Sequence, residues 1–305
     1  MQTISIIGAP THVGTHIQGA DMGPDVLRSA GLIDALRNHA RQVIDQGNLS
    51  GPPNIFSEIQ PGLKNLSEVS QWNRLVFNSV AKSLALDQLP ILLGGDHCLA
   101  IGSISAVAQH CKTHNKKCLV LWFDAHTDAN TQETSPSGNL HGMPVSCLLG
   151  YGPASLTQLH NEHHDLPSHE SALQVDQLRL IGIRSIDPEE AVFVKKLGIT
   201  LFDMQHIKQF GLLSTLQKIL ADVDKNTHIH ISFDLDCLDP SFAPGVSTAV
   251  SDGLHHHDVK KSLAMIAATG CLGSVDLVDF NPKQDHLNAT AKVAIDLVKC
   301  MLALE

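Results

Sequence analysis

Short runs of Val, Ile and Leu recur along the chain, separated by longer stretches in which apolar residues return every three or four positions. The runs at 4–8, 90–94, 118–124, 178–182, 199–202, 228–234 and 272–279 predict strands. Most are apolar on both faces, the pattern of strands covered from both sides. Helices are expected over 24–38, 67–86, 99–114, 188–197, 212–222, 257–268 and 288–304, the first opening on Pro24 at a position that suits proline. Strands alternating with helices imply an α/β protein, a mostly parallel sheet in a three-layer α/β/α sandwich. No repeat or low-complexity linker interrupts the pattern, so residues 1–305 read as one domain. The proline-bearing stretch 47–62 reads as irregular, and the polar, His-rich stretch 151–174 as a surface excursion.

Composition narrows the function. A chain of 305 residues, 43% hydrophobic, buries a large core without covalent staples. Its seven cysteines stand singly, with no CxxC pair, which argues against a disulfide framework and a thiolate zinc site. They read as small apolar core residues in a reducing cytosol. A formal net charge of −10 weighs against nucleic acid or an anionic membrane surface as partner. Residues 1–10 read as a strand, not a signal peptide, and no apolar run is long enough to span a bilayer, so a cytoplasmic protein is expected. Aromatics make up only 4%, too few to suggest a stacking platform for bases.

The chemistry gathers where strands end. Gly94-Gly95-Asp96-His97, Asp124-Ala125-His126-Thr127-Asp128 and Asp234-Leu235-Asp236 each follow an apolar run. In open α/β sheets, sites form beyond the carboxyl ends of strands. Residues two apart in an extended segment face the same way, so Asp124 pairs with His126 and Asp234 with Asp236. Asp128 joins them if the chain turns there. Together with His97 this makes four carboxylates and two imidazoles, a charge that two divalent cations balance, and a donor set that suits Mn²⁺. One such cluster alone would read as turn formers and helix caps, and Asp96 and Asp239 are assigned that structural role. His255, His256 and His257, and likewise His160, His163, His164 and His169, read as solvated side chains on polar stretches. Gly94-Gly95 is no phosphate loop, because no GxGxxG or GxxxxGK[ST] accompanies it.

These motifs resemble the three signatures of the ureohydrolases, the family of arginases, agmatinases and formimidoylglutamases. The resemblance runs from Ile6-Ile7-Gly8-Ala9-Pro10 to Phe280-Asn281-Pro282. It implies an arginase-type sandwich around an eight-stranded parallel sheet, and two Mn²⁺ per chain bridged by a hydroxide. His97, Asp124, Asp128 and Asp234 would hold one ion; Asp124, His126, Asp234 and Asp236 the other. Ser137-Gly138-Asn139-Leu140-His141-Gly142 resembles the arginase loop. By that likeness Asn130, Ser137 and Asn139 contact a substrate α-carboxylate, Asp187 and Glu190 lie at the α-amino group, and Thr248 joins the substrate contacts. Asp128 is the proton acceptor, His141 the proton shuttle, and Asp279 receives the guanidinium. The family carries Glu where this chain has Asp279, and Gly-Thr-Pro-Val where it has Ser247-Thr248-Ala249-Val250. The implied reaction is hydrolysis of L-arginine to L-ornithine and urea, by a homo-oligomer, trimer or hexamer. The alternatives are a sister activity on agmatine or formimidoylglutamate, a zinc deacetylase on a related fold, and a catalytically impaired metal-binding homologue.

Overall fold

Eight strands form one parallel sheet: β1 (Ile4–Gly8), β2 (Val43–Asn48), β3 (Leu89–Leu93), β4 (Lys117–Phe123), β5 (Leu178–Ile183), β6 (Thr200–Asp203), β7 (Thr227–Asp234) and β8 (Leu272–Val278), in the order β2-β1-β3-β8-β7-β4-β5-β6. This is a computed structural model, and it describes residues 2–38, 42–55, 62–159 and 171–304. The eight-stranded three-layer sandwich expected from the sequence is present. Alternate strand residues serve opposite layers: Leu119, Leu121 and Phe123 pack into one, Val120 and Trp122 into the other.

The first layer is covered by α1 (Gly23–Ser29) and α2 (Leu32–Arg37) through Leu27, Leu32 and Leu36. The second is covered by α3 (Leu66–Ala85), α4 (Ala100–Thr113), α5 (Pro144–Leu148), α6 (Ala154–Thr157) and α7 (Pro188–Leu197), with Val76, Ile104, Val145, Leu156 and Val194 turned to the sheet. The chain then returns to the first layer for α8 (Met204–Phe210), α9 (Leu212–Ile219), α10 (His256–Ala268) and α11 (Ala289–Met301). Each fully buried Leu or Ile contributes roughly 1.5–3 kcal/mol, so the two apolar layers drive the assembly.

Several elements differ from the sequence reading, among them the short helices α5, α6 and α8, which it did not expect. The segment 24–38 is two helices, because Gly31 takes a left-handed φ of 97° that no continuous helix accommodates. The strand β2 had no apolar run to announce it. It is an edge strand, with Val43 buried and polar Asp45, Gln46 and Asn48 along the rest. Half-solvated edges do not need the two-sided apolar pattern. His160, His163, His164 and His169 lie outside the described residues.

Chain order places the site. β3, β8, β7 and β4 are neighbours at the centre of the sheet. Their carboxyl ends therefore bring His97, Asp279, the Asp234 pair and the Asp124 cluster side by side.

Candidate metal centre and active site

His97 opens a short 3₁₀ turn after β3, and Asp96 caps that turn by accepting from the Cys98 N–H at 3.0 Å. Asp96 also accepts from the Gly14 N–H at 2.8 Å. The turn fits under the 9–14 loop only because residue 95 is glycine: a Cβ there would lie 1.5 Å from the Thr11 carbonyl oxygen. His97 Nδ1 then sits 2.9 Å from Asp124 Oδ2, 3.3 Å from Asp128 Oδ2 and 3.2 Å from Asp234 Oδ2. On the other side of Asp124, His126 Nδ1 is 3.4 Å from Asp124 Oδ1 and 3.1 Å from Asp236 Oδ2. Donor atoms of Asp234, Asp236 and Asp279 also lie within 4.8 Å of one another. Thus all six side chains expected as metal ligands come together, with Asp279 beside them.

The backbone aims these groups. Asp124 and Asp234 are fixed by Asx-type bonds, each carboxylate accepting the N–H two residues on: His126 N at 2.7 Å and Asp236 N at 2.8 Å. Asp236 Oδ1 accepts from Ala125 N at 3.1 Å, stitching the β4 and β7 clusters together. Asp128 and Asp279 take positive φ values of 48° and 60°, which Asp tolerates better than most residues. Those kinks carry both carboxyls into the same buried space, 6% and 3% exposed.

Burial, and after it the neighbouring carboxylates, hold Asp128, Asp234 and Asp279 well above the usual carboxylate range. Burial acts the same way on Asp124, but the imidazoles of His126 and His97 beside it pull it below that range. His126 is pushed up to about 12: burial opposes this, and the charges of Asp236 and Asp124 outweigh it. An imidazole with two carboxylates so close marks a site short of positive charge. The fit to metal rests on His97. Its Nδ1 is buried, has no hydrogen-bond partner and faces three carboxylate oxygens. A cation among those oxygens is the partner such a nitrogen lacks. Its other nitrogen, Nε2, is 2.9 Å from Ser232 Oγ, which fixes the ring from behind.

The remaining candidate residues fall around this centre. Asn130 donates to Asp187 Oδ2 at 3.0 Å and accepts from the Thr134 hydroxyl at 2.9 Å. Ser137 is exposed, and its Oγ accepts from the Asn139 N–H at 3.2 Å. Asn139 is buried and its amide nitrogen lies 2.9 Å from His16 Nδ1. Asp187 and Glu190 form the capping box of α7, and Glu190 accepts from Ala129 N at 2.8 Å and Asp187 N at 3.2 Å. Glu190 therefore braces the chain next to Asp128 with one oxygen while the other closes the helix cap at Asp187. The Thr248 hydroxyl donates to Asp236 Oδ2 at 2.9 Å. Burial, the largest influence on the His141 imidazole, lowers its proton affinity, and its backbone N–H donates to the Gly14 carbonyl at 3.0 Å.

Three supporting residues were not singled out from sequence. Trp122 stacks on His97 with ring centroids 4.0 Å apart and donates to Asp124 Oδ2 at 2.9 Å. Trp122 and Ser232 lie two residues before Asp124 and Asp234, so the alternation of strand faces held the signal for both. Arg184 donates to the carbonyls of Asp236 and Val250, each at 2.7 Å, and ties the loops after β7 to the end of β5. Its contacts join distant segments, and no local pattern carries them.

A parallel sheet covered on both faces, with carboxylates and imidazoles converging at its carboxyl edge, has the build of a metal-dependent hydrolase. The Arginase family model matches residues 2–303, and the chain belongs to that family. It is 36% identical to an arginase of Bacillus caldovelox over 301 residues, 98% of this chain and 97% of that one. The crystal structure of an arginase from Bacillus subtilis superposes with a TM-score of 0.90 at 35% identity, covering 100% of this chain and 99% of the other. An Entamoeba histolytica arginase in complex with L-ornithine gives 0.88 at 31% identity, covering 99% of each chain.

Proposed function

We propose that this chain hydrolyses L-arginine to L-ornithine and urea at a centre that binds two Mn²⁺ ions. His97, Asp124, Asp128 and Asp234 would hold one ion, and Asp124, His126, Asp234 and Asp236 the other. When bound, such a pair lowers the pKa of water and supplies a nucleophilic oxygen at neutral pH.

The chain's own groups do the rest. Asp279 accepts from Ser247 N through Oδ2 at 2.9 Å, which holds its carboxylate in place to receive the guanidinium through Oδ1. Asp128, at its kinked position beside Asp124, takes the proton of the attacking water. As the bond between the guanidinium carbon and Nε breaks, the nitrogen needs a proton. His141, whose burial weakens its hold on one, delivers it. Asn130, Ser137 and Asn139 bind the α-carboxylate, Asp187 lies at the α-amino group, and Glu190 and Thr248 keep the surrounding loops and Asp236 in position.

The carrying observation is that two opposite kinds of recognition group accompany the metal-type cluster. A buried acid, Asp279, sits against the metal-type carboxylates, while amide and hydroxyl donors follow Asp128 on the next loop. L-arginine carries the matching cation and carboxylate. Protein loaded with Mn²⁺ should release urea from L-arginine well ahead of agmatine, which lacks the carboxylate. A preference for agmatine, or turnover only of a formimino compound with formamide release, would replace this reading by a sister activity. No helix among the described residues is long and apolar enough to cross a membrane. With no disulfide among its described residues, the chain fits a reducing compartment, and we place it in the cytoplasm as a homo-oligomer, trimer or hexamer, which light scattering checks.

A further inference from the structure

We infer that His16 is a specificity-positioning residue: it fixes the amide of Asn139 in the orientation that receives the substrate α-carboxylate. This rests on the arginine reading above.

The geometry begins with Asn139, only 3% exposed at the start of the turn that carries His141. A carboxylate must be met by the N–H side of an amide. An asparagine can present either end by a half-turn of its side chain, and the wrong end would set oxygen against oxygen. Asn139 Nδ2 donates to His16 Nδ1 at 2.9 Å. With that nitrogen accepting, the imidazole carries its proton on Nε2; turning the amide over would set its oxygen against the Nδ1 lone pair, so the ring would have to move its proton to Nδ1 as well.

His16 is exposed, and an exposed imidazole on a free loop would be a poor lock, because holding it costs rotamer freedom. This loop is tied down along its length. Gly14 N donates to Asp96 at 2.8 Å, and Gly14 O accepts from His141 N at 3.0 Å. Thr15 Oγ1 accepts from Ile17 N at 3.2 Å, and the Gln18 carbonyl accepts from Asn281 Nδ2 at 3.1 Å. Asp96 follows β3 and Asn281 follows β8, so the ends of the strands that carry His97 and Asp279 also place His16. The contact between His16 and Asn139 spans 123 residues of sequence, and nothing local announces it.

His16→Ala should raise the KM for L-arginine about three- to tenfold, the worth of one neutral hydrogen bond, with much less change in kcat. Its effect on kcat/KM for agmatine should be smaller by the same factor. His16→Asn should restore most of the arginine KM, because asparagine Oδ1 is an acceptor two bonds from Cβ, as histidine Nδ1 is. Asn139→Ala serves as the reference for losing the carboxylate contact. If Asn139→Ala narrows the gap between arginine and agmatine and His16→Ala leaves it unchanged, the inference is wrong while the arginine reading stands. Equal losses on both substrates, or no recovery in His16→Asn, likewise overturn it. A wild type that prefers agmatine removes the arginine reading, and this inference with it.

Discussion

Asp279 is the residue at which this chain departs most from its resemblance. One methylene fewer than glutamate shortens the reach by about 1.5 Å, a carbon–carbon bond. Direct charge-assisted hydrogen bonds prefer about 2.7–2.9 Å, so a shift of that size replaces contact by a gap or a bridging water. Yet Asp279 is not slack. Its carboxyl is buried, anchored on Ser247 N, and close to Asp234 and Asp236. Misplacement of about 1 Å costs up to a hundredfold in rate, which sets the scale. Asp279→Glu is expected to raise kcat/KM for arginine by about tenfold, as steady-state urea release would show. Loss of turnover in the variant beside an efficient wild type would mean that the pocket is matched to the shorter acid.

Elements hold these residues to their geometry. The first turn of α7 does so for the β4 cluster, since Glu190 ties Ala129 to the helix start and is itself raised by burial. Glu190→Gln puts an amide donor where an N–H needs an acceptor. That should cost about 1–3 kcal/mol of unfolding free energy. It should also lower kcat about tenfold or more through the shifted Asp128. Unchanged stability and kcat would leave the brace without a role. At the start of β7, His228 contacts Ser274 at 2.9 Å, and burial holds its pKa down to about 3, helped by the charges of His230, His110 and Lys116. Its folded pKa lies below the unfolded value of about 6.5, so the fold prefers it neutral. Stability from this group is present above pH 6.5 and is lost as pH falls toward 3. Between pH 7 and 5 the wild type should lose about 2 kcal/mol more than His228→Gln in urea unfolding. Parallel pH curves would refute the assignment.

For the whole molecule, metal and fold are linked. The centre joins the ends of β3, β4 and β7, so ions bound there stabilise the folded chain alone. Two sites filled at a hundredfold above their dissociation constants add about 5 kcal/mol. Chelation should therefore lower the Tm by about 5–10 °C, and restored Mn²⁺ should reverse it. Metal analysis should read about two ions per chain, with both lost in Asp124→Ala. One ion in fully active protein would end the two-metal reading.

The parts of the fold with a local cause could be read along the chain. Seven apolar runs located seven strands, because burial on both faces requires unbroken hydrophobicity. Asp124, His126, Asp234 and Asp236 were legible as a converging cluster because each pair follows an apolar run at a two-residue spacing, although the structure sets Asp236 on a 3₁₀ turn. The tertiary structure decided what depends on neighbours distant in sequence. It made an edge strand of the polar 43–48 segment by pairing it with β1. It turned Glu190 into a brace for Ala129, 61 residues away, and set His16 against Asn139. It also set His97 Nδ1 among three carboxylates drawn from β4 and β7. A one-dimensional pattern records which way a side chain faces within its own element; what it meets there is settled by the order in which the strands pack.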